Sequence, residues 1–253
     1  VATSAGANAV KFQKRDLESI YQQEILENPS LDSQGTEILI DVLKNVEFSE
    51  DDFQDIVNYC KEKKITFLCT PWDIPSVNFL EKLDVPAYKI ASADLTNFPL
   101  IAHISKLNKP IIISTGMSEM EEIERTVDFV KEKNVVFSLL HCNSTYPSPP
   151  ELLNLSLIPV LREKFNVPIG YSGHESSILP SITAANMGAV IIERHITLDR
   201  TLYGSDQAAS LEEPGLKRLV RDIKKIDLIL GDGKKRVWKT ELSAKKKLRQ
   251  KFA

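Results

Sequence analysis

Cysteine is scarce in this chain: Cys60, Cys69 and Cys142 are the only three in 253 residues. Their number is odd, their spacing wide, and no C-x-x-C pair occurs. That excludes a disulfide framework and leaves a reduced, cytoplasmic protein with buried thiols as the expectation. No apolar run approaches the length that crosses a bilayer, and no signal-peptide pattern opens the chain, so no membrane partner is expected. Neither G-x-G-x-x-G nor G-x-x-x-x-G-K-[ST] is present, which removes the usual nucleotide-binding signatures of an open α/β sheet. Net charge is only −3, which argues neither for nucleic acid nor for a membrane surface, and no nucleic acid partner is expected. The charge is uneven, however. From Gly231 to Ala253 nine Lys/Arg stand against two Asp/Glu, a local +7 that leaves −10 for residues 1–230. Trp238 and Phe252 are too few and too far apart to stack bases, so 232–253 reads as a solvated basic linker.

What remains is ample for a core: 42% of the residues are hydrophobic and 26% charged. Short β-rich runs alternate with amphipathic stretches. Strands are expected at Ala9–Gln13, Thr66–Thr70, Ala87–Ser92, Pro110–Thr115, Val135–Cys142, Pro168–Ser172 and Ala189–Ile196. Their apolar centres are nearly continuous, as in parallel strands covered on both faces. Helical patterns lie between them. One opens at Ser49 as N-cap and buries Phe53, Ile56, Val57 and Cys60; a second repeats the design from Ser118. A third runs through "EPGLKRLVRDIKKIDLILG", with Leu216, Leu219, Val220, Ile223 and Ile226 on one stripe and a stop at Gly231.

Repeated strand–helix units imply a parallel sheet, doubly wound or closed as a (β/α)₈ TIM barrel. An open sheet gathers its site at one switch point, whereas a barrel draws residues from many strand ends. Here polar residues end nearly every strand, so the barrel is the better fit. It is placed at residues 1–231. Seven strands are counted where eight are needed, and "VATSAGANAV" reads as the end of a helix entering a strand. The first strand is therefore expected before Val1. Asp16–Phe48, with little periodicity, is expected as an extended loop over the barrel mouth.

The strand-end residues are Lys11, Gln13, Thr70, Lys89, Ser92, Asp94, Ser114, Thr115, His141, Ser144, Tyr146, Ser172, His174, Glu193, Arg194 and His195. Two lysines, an arginine and several hydroxyls converging on one mouth suit a phosphate or carboxylate. His174 and His195 end consecutive strands and could meet at one metal, whereas His103 sits in a helical stretch and reads as structural. Asp206 follows in "GSDQAAS", where it could serve a substrate hydroxyl or a metal-bound water. Strand alternation puts Glu193 and His195 on one side and Arg194 on the other.

"KFQK", "TPWD", "YKIASAD", "PIIISTGM", "CNSTYPSPPELLNL", "PIGYSGHE" and "IERHITLDRTLYGSDQAASLE" together resemble the sialic acid synthase family. These are phosphoenolpyruvate-dependent synthases of N-acetylneuraminate and related nonulosonates. The resemblance runs in order from Gly6 to about Gly231. It implies a (β/α)₈ barrel followed by a small antifreeze-like domain that caps the partner's site in a homodimer. It implies Mn²⁺, or another divalent ion such as Mg²⁺ or Co²⁺, on His174 and His195. Phosphoenolpyruvate is implied on Thr70, Lys89, Ser92, Ser114, Ser144 and Ser172, and an N-acetylated amino sugar near Gln13, Tyr146 and Asp206. Lys11 and Asp94 match polar positions lining the same site. Lys89, Asp94, Glu193 and Asp206 are the candidate catalytic groups.

Ser144 stands where other members often have asparagine. The family's first-strand glutamate falls before Val1, and its capping domain, with an arginine reaching into the neighbour's barrel, after Ala253. Binding without efficient turnover is therefore expected of these 253 residues. Two competing expectations are another phosphoenolpyruvate–aldose synthase, with cysteine at its metal and a clamp for a sugar phosphate, and a catalytically silent sugar- or phosphate-binding barrel.

Overall fold

The computed structural model describes residues 1–28, 37–204 and 206–250. Among these, seven strands form one parallel sheet in sequential order. They are β1 (Ala9–Lys14), β2 (Thr66–Pro71), β3 (Tyr88–Ile90), β4 (Ile111–Ser114), β5 (Phe137–Cys142), β6 (Ile169–Gly173) and β7 (Ile192–Arg194). Each overlaps a run read from the sequence. Parallel neighbours joined one after another by right-handed crossovers put every helix on the same face, so the sheet curls instead of winding both ways. Among the described residues β1 and β7 are the two edges and do not pair with each other. The sheet is therefore a curled half-barrel, and the expected eight-stranded closure is not seen in it. Burial follows from this: every residue of β3, β5 and β6 is buried, while all of β1 and β7 are only half-buried. The curl is held at its ends by the helix Ala2–Ala5 against the helix Glu213–Ile223. Ser4 Oγ lies 3.0 Å from Glu213 Oε1, and Lys224 Nζ reaches the Gly6 carbonyl at 3.3 Å.

The apolar core lies between the outer face of the sheet and its helices. Phe67, Cys69, Tyr88, Ile90, Ile111, Ile113, Phe137, Leu139, Ile169 and Tyr171 all point into it. Alternation then turns Lys11, Thr70, Lys89, Ser114 and Ser172 to the inner face. The helices begin where chemistry dictates. Ser49 and Asp52 form the expected reciprocal box (Asp52 N to Ser49 Oγ, 3.1 Å), and Asp73 and Asn97 cap the next two helices, each with Pro in the first turn.

Three sequence expectations need correction. The helix Met120–Glu132 is capped by Glu119, not Ser118, whose hydroxyl instead bonds the Gly116 carbonyl. The last stripe is two helices, Glu213–Ile223 and Ile226–Leu230, because the chain leaves the core after Ile223 and exposes Leu228, Ile229 and Leu230. Part of the supposed loop Asp16–Phe48 is helical (Leu17–Ile20, Gln23–Glu27 and Glu37–Val46), with Leu26, Ile40 and Leu43 buried; 29–36 lie outside the described residues.

The returns from helix to strand share one device. Gly6, Lys64, Asp84, Asn108, Asn134, Asn166 and Gly188, each just ahead of a strand, all have positive φ. A left-handed residue after the helix satisfies its last carbonyls and turns the chain back. Lys64 is exposed and fits this role worst, since its φ of 55° carries a Cβ penalty that Gly lacks. Lys64→Gly is expected to stabilise the fold by about 0.5–1 kcal/mol, the steric relief exceeding the added chain entropy. A denaturant midpoint that falls in the variant would contradict this.

Candidate active site

The inner face carries charge at the C-terminal ends of the strands. Lys89 of β3 is buried, and its Nζ donates to Ser114 Oγ (2.6 Å) and to the Ile90 carbonyl (2.9 Å). Glu193 of β7 lies between two ammonium groups, with Oε1 3.8 Å from Lys89 Nζ and Oε2 3.7 Å from Lys11 Nζ. Ser172 Oγ also donates to Glu193 Oε1 at 2.8 Å, and Lys11 Nζ lies 3.4 Å from Thr70 Oγ1. Burial works against the Glu193 carboxylate, but Lys89, Lys11 and Ser172 outweigh it and hold the group down to about 2. Burial pushes Lys89 down to about 8, with Lys11 adding to the effect and Glu193 opposing it. Two ammoniums against one carboxylate leave a surplus positive charge, a setting for an anion.

Beside this cluster stand the two histidines, with ring centroids 5.3 Å apart. His174 Nδ1 lies 2.7 Å from the Asn143 carbonyl, which can only accept, so Nδ1 carries the proton. Nε2 lies 3.0 Å from Tyr146 OH and is the lone-pair nitrogen in the neutral ring. Burial works against protonation there, but Cys142, the Asn143 carbonyl and Glu193 outweigh it and raise the His174 imidazole above its ordinary value. His195 Nδ1 is 3.8 Å from Asp206 Oδ2. Burial, with Lys11 and His174 adding to it, drives the His195 imidazole down to about 4 against Asp206 and Glu193, so it is neutral at pH 7. His174, anchored through Nδ1, and the neutral His195 form a donor set that fits a divalent ion, which binds Nε2 of His174 in its deprotonated form. Among the described residues no cluster of three or more metal-ligating side chains occurs, so protein ligation here would rest on the two histidines. Cys142 Sγ approaches His174 only at the Nδ1 edge, 3.8 Å away.

The hydroxyls gather round Gly116. Ser92 Oγ accepts from Gly116 N at 3.0 Å, and a Cβ on Gly116 would stand 2.3 Å from Ser144 Oγ and 2.8 Å from Ser92 Oγ. Gln13 and Asp94 take their hydrogen-bond partners from outside the lysine–carboxylate cluster. Gln13 Oε1 accepts from Trp72 Nε1 (2.8 Å) and Arg15 Nη2 (3.0 Å), and the Arg15 guanidinium stacks 4.1 Å over Trp72. The Gln13 amide can therefore offer only its N–H donors. Asp94 Oδ1 accepts from Asn97, while Oδ2 is buried with no hydrogen-bond partner, and burial raises this carboxyl above its ordinary range. Two of the strand-end residues turn away from the site. His141 bonds the Leu153 carbonyl at 2.7 Å, and Arg194 lies on the outer side of β7, as alternation requires, against Glu175. His103 bonds Asn78 Oδ1 on the surface. Gly116, Asn143, Arg15, Trp72 and Glu175 escaped the sequence reading. Only the outward position of Glu175, next to His174, could have been inferred by alternation.

Fold and site together define a parallel α/β protein whose polar site gathers at the C-terminal strand ends. The chain belongs to the NeuB family, which matches residues 1–235. It is 38% identical over 251 residues to human N-acetylneuraminate-9-phosphate synthase, covering 98% of this chain and 70% of that protein. It is 35% identical over 248 residues to N,N'-diacetyllegionaminic acid synthase of Campylobacter jejuni, covering 95% of this chain and 74% of the relative. A crystal structure of N-acetylneuraminic acid synthetase from Leptospira borgpetersenii, solved with citrate, superposes with a TM-score of 0.83 at 36% identity. That match covers 99% of this chain and 85% of the other.

The displaced lysine is directly measurable. With ε-¹³C-labelled lysine, one resonance should titrate with a midpoint near 8 and vanish in Lys89→Met. All lysines titrating together above pH 10 would contradict the described burial.

Proposed function

We propose that the chain condenses phosphoenolpyruvate with an N-acetylated amino sugar to give a sialic acid-type nonulosonate and inorganic phosphate. The observation that carries this reading is the surplus positive charge of Lys11 and Lys89 over Glu193, next to two imidazoles whose ring centroids lie 5.3 Å apart. Phosphoenolpyruvate would bring its anionic groups to the lysines, with Ser92, Ser114, Ser144, Ser172 and Thr70 orienting their oxygens. Its C3 would form the new bond to the aldehyde carbon of the open-chain sugar. Water would add at C2, and the C2–O bond would break to release phosphate. A divalent ion on His174 and His195 would supply Lewis acidity to a carbonyl oxygen. Gln13, through its N–H donors, and Tyr146 and Asp206, through their hydroxyl and carboxylate, would meet the sugar. Asp94, with one carboxylate oxygen unpartnered, is suited to exchange a proton with a substrate hydroxyl or water.

The test is phosphate release from phosphoenolpyruvate in the presence of Mn²⁺ and, in turn, N-acetylmannosamine, its 6-phosphate and a diacetamido hexose. Release that needs all three components supports the proposal. Release only with a phosphorylated aldose lacking an acetamido group points to another synthase on this fold. Binding of phosphoenolpyruvate with no release for any sugar points to a silent binding barrel. His174→Ala and His195→Ala should each lower metal-dependent release by about 10²-fold or more, the loss of several kcal/mol of charge stabilisation.

A further inference from the structure

The outer side of the same two strand ends holds a second network, and it contains no group that faces the candidate active site. Glu175 follows His174, and Arg194 precedes His195, so alternation that turns both histidines inward turns both of these residues outward. Their side chains are each only 2% exposed, and Arg194 Nη1 donates to Glu175 Oε1 at 2.9 Å. The carboxylate has two further donors, Ser181 Oγ on Oε1 and Tyr171 OH on Oε2, both at 2.9 Å. The guanidinium donates to the carbonyls of Glu175, Ser177 (2.9 Å) and Ala209 (3.3 Å), and to Ser181 Oγ (3.1 Å). Gly173 makes room for this: a Cβ there would fall 2.5 Å from Glu175 Oε2 and 2.7 Å from Tyr171 Cε1. "GHE" and "ERH" thus interlock, one histidine inward on each side of a single buried ion pair. The Ala209 contact also ties down the segment that carries Asp206, the neighbour of His195.

A buried ion pair contributes little net stability compared with apolar groups of similar size, because desolvation offsets the attraction. What it imposes is geometry, since seven hydrogen bonds of fixed direction leave the β6 and β7 ends one relative position. We propose that the Glu175–Arg194 pair is a positioning element that sets the spacing of His174 and His195, and with it their affinity for a divalent cation. The inference rests on the reading of those histidines as metal ligands. Neither Glu175 nor Arg194 touches the ion or substrate; both act through the backbone of the adjoining histidine. Groups that orient metal ligands from outside typically change affinity by about 10–100-fold when altered.

The test is Mn²⁺ binding, followed by the loss of the free-ion electron paramagnetic resonance signal, alongside the melting temperature of metal-free protein. The proteins are the parent, Glu175→Gln, Arg194→Lys and the double variant Glu175→Leu/Arg194→Met. The single variants should each bind Mn²⁺ about tenfold or more weakly, Arg194→Lys included, since an ammonium keeps the charge but not the guanidinium's fork of hydrogen bonds. The apolar double variant should regain a melting temperature near the parent's, since no charge is left unpaired, yet still bind at least about tenfold more weakly. A folded double variant with parental affinity overturns the proposal, as does affinity that merely tracks melting temperature across the set. Should the single variants fail to fold, the double variant alone decides. His174→Ala is the control. If it binds Mn²⁺ as the parent does, the metal reading itself is wrong, a result distinct from failure of the positioning role.

Discussion

The arrangement turns on Glu193. It sits at the inner side of an edge strand, and its charge is tolerable there because Lys11 and Lys89 approach from β1 and β3. Those contacts join the two edges of the curled sheet to its middle, so one carboxylate links the first, third and seventh strands. Replacing it would leave two ammonium groups facing each other; replacing a lysine would leave a poorly compensated carboxylate. The cluster therefore specifies the curl and the chemistry together. Its surplus positive charge is available to an incoming anion.

The same strands carry two layers of ionic chemistry because side chains alternate. On the inner side, Ser172, His174, Glu193 and His195 present donors, acceptors and lone pairs. On the outer side, Tyr171, Glu175 and Arg194 form a buried network that serves geometry. Most of the site's polar groups stand in the C-terminal halves of the strands or just beyond them. The N-terminal halves keep apolar residues on both faces, as with Leu68 and Phe67 of β2 or Ile111 and Ile112 of β4, so most strands still read as apolar runs.

That composition explains what was legible. Strand centres and their order could be read because most strands keep a nearly continuous apolar centre. Ends were less secure: the runs Ala189–Ile196 and Ala87–Ser92 yield only Ile192–Arg194 and Tyr88–Ile90 as strand, whereas Ala9–Gln13 is strand throughout. The cluster of Lys11, Lys89, Ser114, Ser172 and Glu193 was readable as strand-end polarity. Asn143 and Gly116 were not, because one acts through a backbone carbonyl and the other by lacking a side chain. Arg15 and Trp72 were hidden for another reason. They act on Gln13 from two different strand ends, and only the β1–β2 register, Gln13 opposite Thr70, brings them together.

The proposed function requires that the buried Lys89 bind the anionic groups of phosphoenolpyruvate. Calorimetric titration of phosphoenolpyruvate into the parent chain and into Lys89→Met tests it without requiring turnover. A charged hydrogen bond lost from the site should weaken binding by about 1.5–3 kcal/mol, tenfold to over a hundredfold. Parental affinity should also fall as pH rises through about 8, where Lys89 gives up its proton. Equal affinity in the two proteins, unchanged between pH 7 and 9, would contradict the account and move the anion elsewhere on the sheet.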